Sequence, residues 1–381
     1  MSTQAKPRAL IVGAGVGGLA AALALEHGGW QVTVLERAAE LRELGFALLL
    51  APNAMRALRF LGVAARIAER AEVGSEGELR AADGALLTRI SLDAIRRETG
   101  EDTVCALREV LHGTLLDALR TTEIRTCAHV LGVEQSAGAV EVTLDGGERV
   151  RGELLIGADG LRSKVRALLH GPDPLRDSGL VGHRGVCRAS SWRVTGGQYF
   201  GRGVEAGVAR AGGDAVYWYV SATRQAAHGK LEPKAAVLET LRGFEPALID
   251  VIEHTEPENI RRDVLVDRKP LRSWSRGRVS LLGDAAHPML PHAGQGAAQA
   301  LEDAVVLGRC LSGTRDVAAA LQRYERIRLP RANRVVAIAR RNSRAAGLEN
   351  EWLCAMRNWL LAHATVVEKQ LLSLARVDLE V

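Results

Sequence analysis

Two glycine loops, each set beside one carboxylate, are the stretches of this sequence most able to do chemistry. One lies in Val279 to Gly296 (VSLLGDAAHPMLPHAGQG). An apolar strand-like segment leads into Gly283-Asp284, then through Pro288 and Pro291 to a turn bracketed by Gly294 and Gly296, and an Ala-rich helix opens with Ala297 and Ala298. Backbone N–H groups and a helix N-terminus beside a fixed carboxylate suit an anionic ligand. The other loop, GAGVGG at Gly13 to Gly18, makes a matching offer. Gly13, Gly15 and Gly18 fit G-x-G-x-x-G. The first permits a tight turn, the second lets backbone approach a pyrophosphate, and the third lets helix pack closely on strand. Glu36 follows at the end of the next apolar segment, where a carboxylate accepts ribose hydroxyls. An acid there favours an unphosphorylated ribose, hence FAD or NAD rather than NADP. Arg37 and Arg42 are further cofactor candidates, with a plain surface arginine an equal reading of Arg42.

The elements that must position these loops follow from periodicity. Arg8 to Val12 reads as a buried strand, the next residues as a helix through Leu25, and Gln31 to Leu35 as a second strand. Leu48, Leu49 and Leu50 form another short strand, and Pro52-Asn53 starts a helix. Arg108 opens a helix (REVLHGTLLDAL) whose first turn can reach a diphosphate or adenosine. Val140 to Leu144 and Arg149 to Ile156 flank a GG turn and read as a hairpin. The second of these runs into Gly157-Ala158-Asp159-Gly160, where Asp159 can cap the helix containing Ser163 and Arg166, a role compatible with facing a ligand. From Leu180 to Asp267 the alternation predicts an antiparallel sheet. In AVYWYV, Tyr217 and Tyr219 share one face, and Val216, Trp218 and Val220 the other. After Gly296 come a helix and a second one over Val317 to Arg344, which Pro330 is expected to kink or interrupt. Glu349 to Leu374 continues at helical spacing.

A chain of 381 residues can bury a large core, roughly 75% of its unfolded surface. The net charge of +5 comes mostly from arginine, with a cluster from Arg323 to Arg344. That cluster reads as a solvated helix face or as a surface attracting an anionic cofactor. Without interleaved aromatics it does not point to nucleic acid. Cys105, Cys127, Cys187, Cys310 and Cys354 are scattered and form no CxxC pair, which indicates reduced thiols in a cytoplasmic protein and no metal centre. Ala9 to Leu25 is uncharged and follows Lys6 and Arg8, as in a signal peptide. It is short for a membrane span, and its glycines weaken a continuous helix, so no integral membrane association is expected.

GAGVGG, GADGLRSKVR (Gly157 to Arg166) and GDAAHPMLPHAGQG (Gly283 to Gly296), in that order, resemble the FAD-dependent aromatic hydroxylases of the p-hydroxybenzoate and salicylate hydroxylase type. The resemblance implies an α/β fold: a glutathione-reductase-like Rossmann domain for FAD, an inserted, mostly antiparallel β substrate domain, and C-terminal helices. The expected FAD-binding domain is discontinuous, over 1–72, 101–179 and 268–345. The substrate domain takes 73–100 and 180–267, and 346–381 forms a helical extension. The resemblance assigns ribose to Glu36, the ribityl and pyrophosphate end to Asp284, and the flavin-ring surroundings to Pro291 and Gly294 to Ala298. It adds Arg108 as a cofactor contact and Asp159 as part of a motif shared by FAD and NAD(P)H.

It also implies the reaction. NADH or NADPH, visiting transiently, reduces FAD, O₂ adds at flavin C4a, and the hydroperoxide passes one oxygen to an electron-rich ring. The flavin carries that chemistry and protein supplies position and exclusion of water, so no acid–base dyad is required. For the substrate, Leu49, Tyr217 and Tyr219 favour an aromatic or heteroaromatic, mostly apolar molecule, with a phenol or heterocyclic N–H. A plain sheet tyrosine remains the alternative for Tyr217. Arg184, next to His183 in VGHRGV, resembles a segment beside the flavin. His287 and His292 in the second loop are candidates for titration near neutral pH or for loop packing. No arginine on the Tyr217 strand grips a carboxylate, which points toward a larger ring than salicylate or urate. A monomer or homodimer is expected. The alternatives are an FAD-dependent reductase on the same fold and a catalytically silent FAD-binding pathway protein.

Overall fold

Two large sheets, each built by a different hydrophobic pattern, carry most of the fold, with two three-stranded sheets beside them. The computed structural model describes residues 6–41, 46–188, 196–363 and 365–379, so Arg42 lies outside the described residues. Strands that are apolar throughout, such as Arg8–Val12 and Leu154–Gly157, form a sheet covered on both faces. Its order is Ser275–Arg276, Val279–Leu281, Leu154–Gly157, Arg8–Val12, Gln31–Leu35, Glu123–Arg125. All neighbours are parallel except the first pair. Four parallel strands therefore end side by side, and just beyond them come Gly283 (two residues past Leu281), Ala158, Gly13 and Glu36. Ligands of such sheets bind beyond the carboxyl ends of the strands.

Helices Val16–His27 and Gly296–Leu311 pack against each other over this sheet. Gly308 allows their close approach, since a Cβ there would lie 2.8 Å from the Ala24 Cβ. Gly13 adopts φ +105°, and a Cβ on it would meet the Ala158 carbonyl oxygen at 2.5 Å. The first glycine loop thus rests directly on the Gly157–Gly160 turn.

The alternating segments form a seven-stranded sheet ordered Ile260–Asp267, Arg176–Arg188, Ala215–Thr223, Val204–Arg210, Gly197–Phe200, Glu76–Ala81, Leu86–Ser91. Its neighbours are antiparallel except for the parallel pair Gly197–Phe200 and Glu76–Ala81. One face buries Val216, Trp218 and Val220 against Val237, Leu241, Leu248 and Val251 of two covering helices. The Trp218 indole N–H donates to Thr255 Oγ1 at 2.9 Å, so the largest buried ring also satisfies its polar atom. The other face carries Tyr217 and Tyr219, as the alternation predicts.

The structure differs from the sequence-based expectation at two places. The segment Arg149 to Ile156 is two strands: Arg149–Gly152 pairs with Val140–Leu144, and Leu154–Gly157 crosses into the parallel sheet. Gly152 marks the crossing, where a Cβ would lie 3.0 Å from the Arg8 carbonyl oxygen. Pro330 does not interrupt its helix, which runs unbroken over Val317–Ala346. The carbonyl deprived of its donor belongs to Arg326, which is exposed, so the lost hydrogen bond falls on the solvent side of the helix. Arg328 and Arg331 anchor the helix on either side of the proline.

Candidate active site

The first glycine loop is shaped to receive something. Gly18 packs so tightly that a Cβ would sit 1.9 Å from the Gly13 carbonyl oxygen, whereas a Cβ on Gly15 would meet nothing within 4 Å. Gly15 also stands at the N-cap of helix Val16–His27, where no side chain caps the helix. A cradle that a methyl group would fill, floored by free helix N–H groups, fits a pyrophosphate. Glu36 stands beside it. Its Oε2 accepts from Ala14 N at 2.7 Å and its Oε1 from Ala38 N at 2.9 Å. Each oxygen keeps a lone pair for a ribose hydroxyl. Buried His112 fixes the loop from behind, its Nε2 lying 2.7 Å from the Ala14 carbonyl oxygen. Arg37 is exposed on the following turn.

The second loop begins at Gly283, φ +61°. Asp284 lies exposed on the floor of the cleft, yet protein crowds it enough for desolvation to raise its carboxyl above the usual range. The charges of His287 and Arg108 oppose that rise. Arg108 and Asp284, both predicted from sequence, are thus brought to one place. Gly294 (φ +60°) and Gly296 are open, a Cβ on either meeting nothing within 4 Å, and helix Gly296–Leu311 again lacks a side-chain cap. Pro291 is exposed, while Ala298 is buried under the loop. Both loops therefore fit the two ends of a flavin dinucleotide.

Beneath this loop lies a polar network that sequence reasoning missed. Asp303 accepts from Gly283 N at 3.0 Å, approaches His287 Nε2 at 2.6 Å and accepts from Arg328 Nε at 2.7 Å. Glu302 pairs with Arg328 and, at 2.6 Å, with Arg331. It also accepts from Asn53 at 2.7 Å and Gln299 at 3.0 Å, and Asn53 donates to Gln295 at 2.8 Å. Glu302, Asp303, Arg328, Gln299 and Asn53 are essentially inaccessible. The guanidiniums and the loop's donors hold both carboxyls below their usual range against desolvation. Two acids against two guanidiniums make a balanced buried cluster, and removing one partner of such a set costs about 3–5 kcal/mol. The signal for it was a stripe of Gln295, Gln299, Glu302 and Asp303 along one side of an otherwise apolar helix. The late arginine cluster is divided: Arg323, Arg326, Arg334, Arg341 and Arg344 are exposed, as a solvated face requires, and three others are not. Arg328 and Arg331 turn inward to Glu302, and Arg340 bonds both oxygens of buried Asp267 at 2.7 Å.

Asp159 shares the capping of helix Lys164–His170 with the N-cap residue Ser163. It accepts from Ser163 Oγ at 2.5 Å, Lys164 N at 2.6 Å and Val165 N at 3.2 Å. Desolvation nonetheless raises its carboxyl. Arg166, also unforeseen as a site residue, donates to the carbonyls of Ala285 and Ala286 at 3.1 and 3.0 Å, tying the GADG turn to the second loop.

The tyrosine-bearing face of the second sheet closes onto that loop. Ser221 Oγ lies 2.9 Å from His292 Nε2, and Asn342 donates to the His292 carbonyl at 3.0 Å. Burial pushes His292 down to about 4, so it is a neutral packing residue and does not titrate near pH 7. His287 serves as the neighbour of Asp303 and lies tilted against Trp274, centroids 5.1 Å apart. Tyr217 packs at the edge of a cluster of Ala47, Leu107, Val186 and Ala215. Burial raises its phenol to about 12, with Arg184 pulling the other way. Leu49 shares the strand face of Ala47 but is 50% exposed, so it borders open space. Arg184 pairs with Asp263 at 2.9 Å and lies 5.4 Å from the Phe46 ring centroid. His183 points to the opposite face. It is buried, and desolvation followed by the charge of Arg262 pushes it down to about 4.

The chain matches a family model described as an FAD binding domain over residues 6–339. Among curated proteins it is similar to the aurachin C monooxygenase/isomerase of Stigmatella aurantiaca, 36% identical over 358 residues, which are 92% of this chain and 93% of that protein. The 3-hydroxybenzoate 6-hydroxylase 1 of Aquipseudomonas alcaligenes is 35% identical, with 94% and 98% covered. Among solved structures, Klebsiella pneumoniae HpxO complexed with FAD and uric acid superposes with a TM-score of 0.88 at 27% identity, covering 97% of this chain and 96% of that one.

Proposed function

This chain belongs to the flavoprotein aromatic hydroxylases and is an FAD-dependent monooxygenase, and on that premise we propose how its residues divide the work. Gly13, Gly15, Gly18 and Glu36 hold the adenosine and pyrophosphate end of FAD, Glu36 by accepting ribose hydroxyls. Arg37 remains a cofactor candidate at the rim. Asp284 and Arg108 meet the ribityl and phosphate region, and Pro291 with Gly294 to Ala298 borders the ring. Asp159 serves this end indirectly, by setting the turn against which Gly13 rests. When bound, FAD supplies the redox chemistry, taking electrons from NAD(P)H and using O₂ to hydroxylate the substrate.

The protein's part is to bind, orient and keep water out. Tyr217, Tyr219 and Leu49 line the place where an aromatic or heteroaromatic, mostly apolar ring lies against the flavin loop, and Arg184 borders it. The observation that carries this reading is the Ser221–His292 contact of 2.9 Å, which sets the tyrosine face directly against the second glycine loop. The segments 1–72, 101–179 and 268–345 then work as the FAD-binding domain and 73–100 with 180–267 as the substrate domain. Residues 346–381 extend the chain as helices. No described helix is long and apolar enough to cross a membrane. We place the enzyme in the cytoplasm as a monomer or homodimer.

The test is a screen of aromatic and heteroaromatic compounds with purified yellow protein. NAD(P)H consumption is read against product mass and peroxide. Substrate-stimulated oxidation yielding a singly oxygenated product is expected. A protein that stays colourless after reconstitution with FAD, or that consumes NAD(P)H without ever oxygenating a ring, would overturn the reading.

A further inference from the structure

The tyrosine face holds a buried acid that neither the glycine loops nor the packing accounts for. Glu205 lies on strand Val204–Arg210, directly opposite Ser221 in register, and so shares the face that meets His292. It is 5% exposed. Its strand neighbours Val204 and Ala206 point into the apolar core behind the sheet. Tyr219 donates its phenol O–H to Glu205 Oε1 at 2.9 Å, and Gln198 Nε2 donates to the same phenol oxygen at 2.9 Å. The Tyr219 ring lies over Gly207, where a Cβ would come within 2.3 Å of it. A glycine on the neighbouring strand therefore lets the ring reach the acid.

The donor inventory of this corner is one-sided. The Tyr219 proton is committed to Glu205, and an ionised carboxylate only accepts. Arg357 faces Glu205 from the helix Glu351–His363, but its guanidinium donates to the carbonyls of Ala345 and Gly201 and to Asn358. Arg184, on the other side of Tyr219, is engaged with Asp263. What the corner itself offers a ligand is the Glu205 carboxylate as acceptor, the Ser221 hydroxyl opposite it being turned to His292.

We infer that Glu205, positioned through Tyr219 and Gln198, is a specificity-determining residue that selects neutral rings carrying an N–H or O–H donor and rejects rings carrying a carboxylate. The inference rests on the tyrosine face being the substrate site. Burial raises the Glu205 carboxyl to about 7, opposed by the Tyr219 hydrogen bond and the Arg357 charge. The groups facing it are Tyr219, whose phenol is raised far out of range, Gln198 and Arg357. The acceptor character therefore strengthens as pH rises through neutrality and fades below it.

Calorimetric titration of the FAD-loaded protein with 2-naphthol, 2-methoxynaphthalene and 3-hydroxy-2-naphthoate tests this. At pH 8, 2-naphthol is expected to bind about tenfold or more tightly than either of the others, as a hydrogen bond to a charged acceptor provides. Glu205→Gln should cut that preference to about threefold or less and improve the carboxylate's affinity, and Tyr219→Phe should fall between. FAD content and melting temperature report whether each variant is folded. If Glu205→Gln fails to fold, the wild-type pH series decides: the naphthol preference must shrink from pH 8 to pH 6. A preference unchanged in folded Glu205→Gln, a wild type that prefers the carboxylate, or a pH-independent preference overturns the inference. Failure of all three ligands to bind overturns instead the underlying placement of the substrate on this face.

Discussion

Below the flavin loop, Asp303 and Glu302 are each held by two or more partners and are fully buried. Above it, Tyr217 is fixed mainly by packing, Leu49 stands half exposed, and Glu205 takes a hydrogen bond from one phenol. The lower side gains rigidity from a cluster in which each buried carboxylate is met by a guanidinium, with His287 Nδ1 left buried and unpartnered at its edge. The upper side leaves acceptors and apolar surface uncommitted. A cofactor bed that must always present the same loop suits the first construction. A face that decides which ring enters suits the second. The contrast teaches that the charge-rich part of this cleft is its foundation, and that selectivity resides in its sparse polar groups.

Substitutions on the two sides should therefore behave differently. Arg328→Met should have the largest effect, since it removes the one guanidinium shared by two buried carboxylates; a loss of about 3–5 kcal/mol in urea unfolding, with loss of FAD, is expected. If the loss is under about 1 kcal/mol, the lower side is no foundation. Gly18→Ala should cost about 1–3 kcal/mol, because its Cβ must displace the Gly13 carbonyl. Asp284→Asn should act on the cofactor instead. Its carboxyl is raised by desolvation, so ionisation weighs against the FAD-free fold, and that penalty is present at neutral pH and vanishes as pH falls below the unfolded carboxyl value. The FAD-free variant should accordingly melt higher than wild type at pH 7, with the gap closing toward pH 4, while FAD retention weakens. Equal FAD retention would place Asp284 outside the cofactor site. Tyr217→Phe should have the smallest structural effect, within about 0.5 kcal/mol and with full FAD content, and should appear in KM or in coupling of NAD(P)H use to product. A stability loss comparable to Gly18→Ala would make Tyr217 a plain core residue.

The cofactor bed was legible in the sequence because its glycines answer to backbone geometry. Gly13 and Gly18 have no room for a side chain, and such constraints survive as a local pattern. The tyrosine face was legible from strict alternation in AVYWYV. The buried network was not, since Asn53 and Glu302 are distant in sequence and an arginine in a helix looks the same whether it faces water or an acid. His183 and Arg184 were read together, and only the register of strand Arg176–Arg188 shows that Arg184, opposite Tyr219, takes the tyrosine face and His183 the other. Glu205 left one faint trace: a single acid between Val204 and Ala206 in a strand otherwise apolar on both sides.

The most direct test of the account is FAD titration of the stripped Gly15→Ala protein, read by flavin fluorescence beside wild type. The Cβ meets nothing within 4 Å in the free protein, so folding should be nearly unchanged while it occupies the cradle meant for pyrophosphate. The account predicts FAD affinity at least about tenfold weaker with a melting temperature close to wild type. Wild-type FAD affinity in that variant would contradict the placement of the cofactor across the two glycine loops.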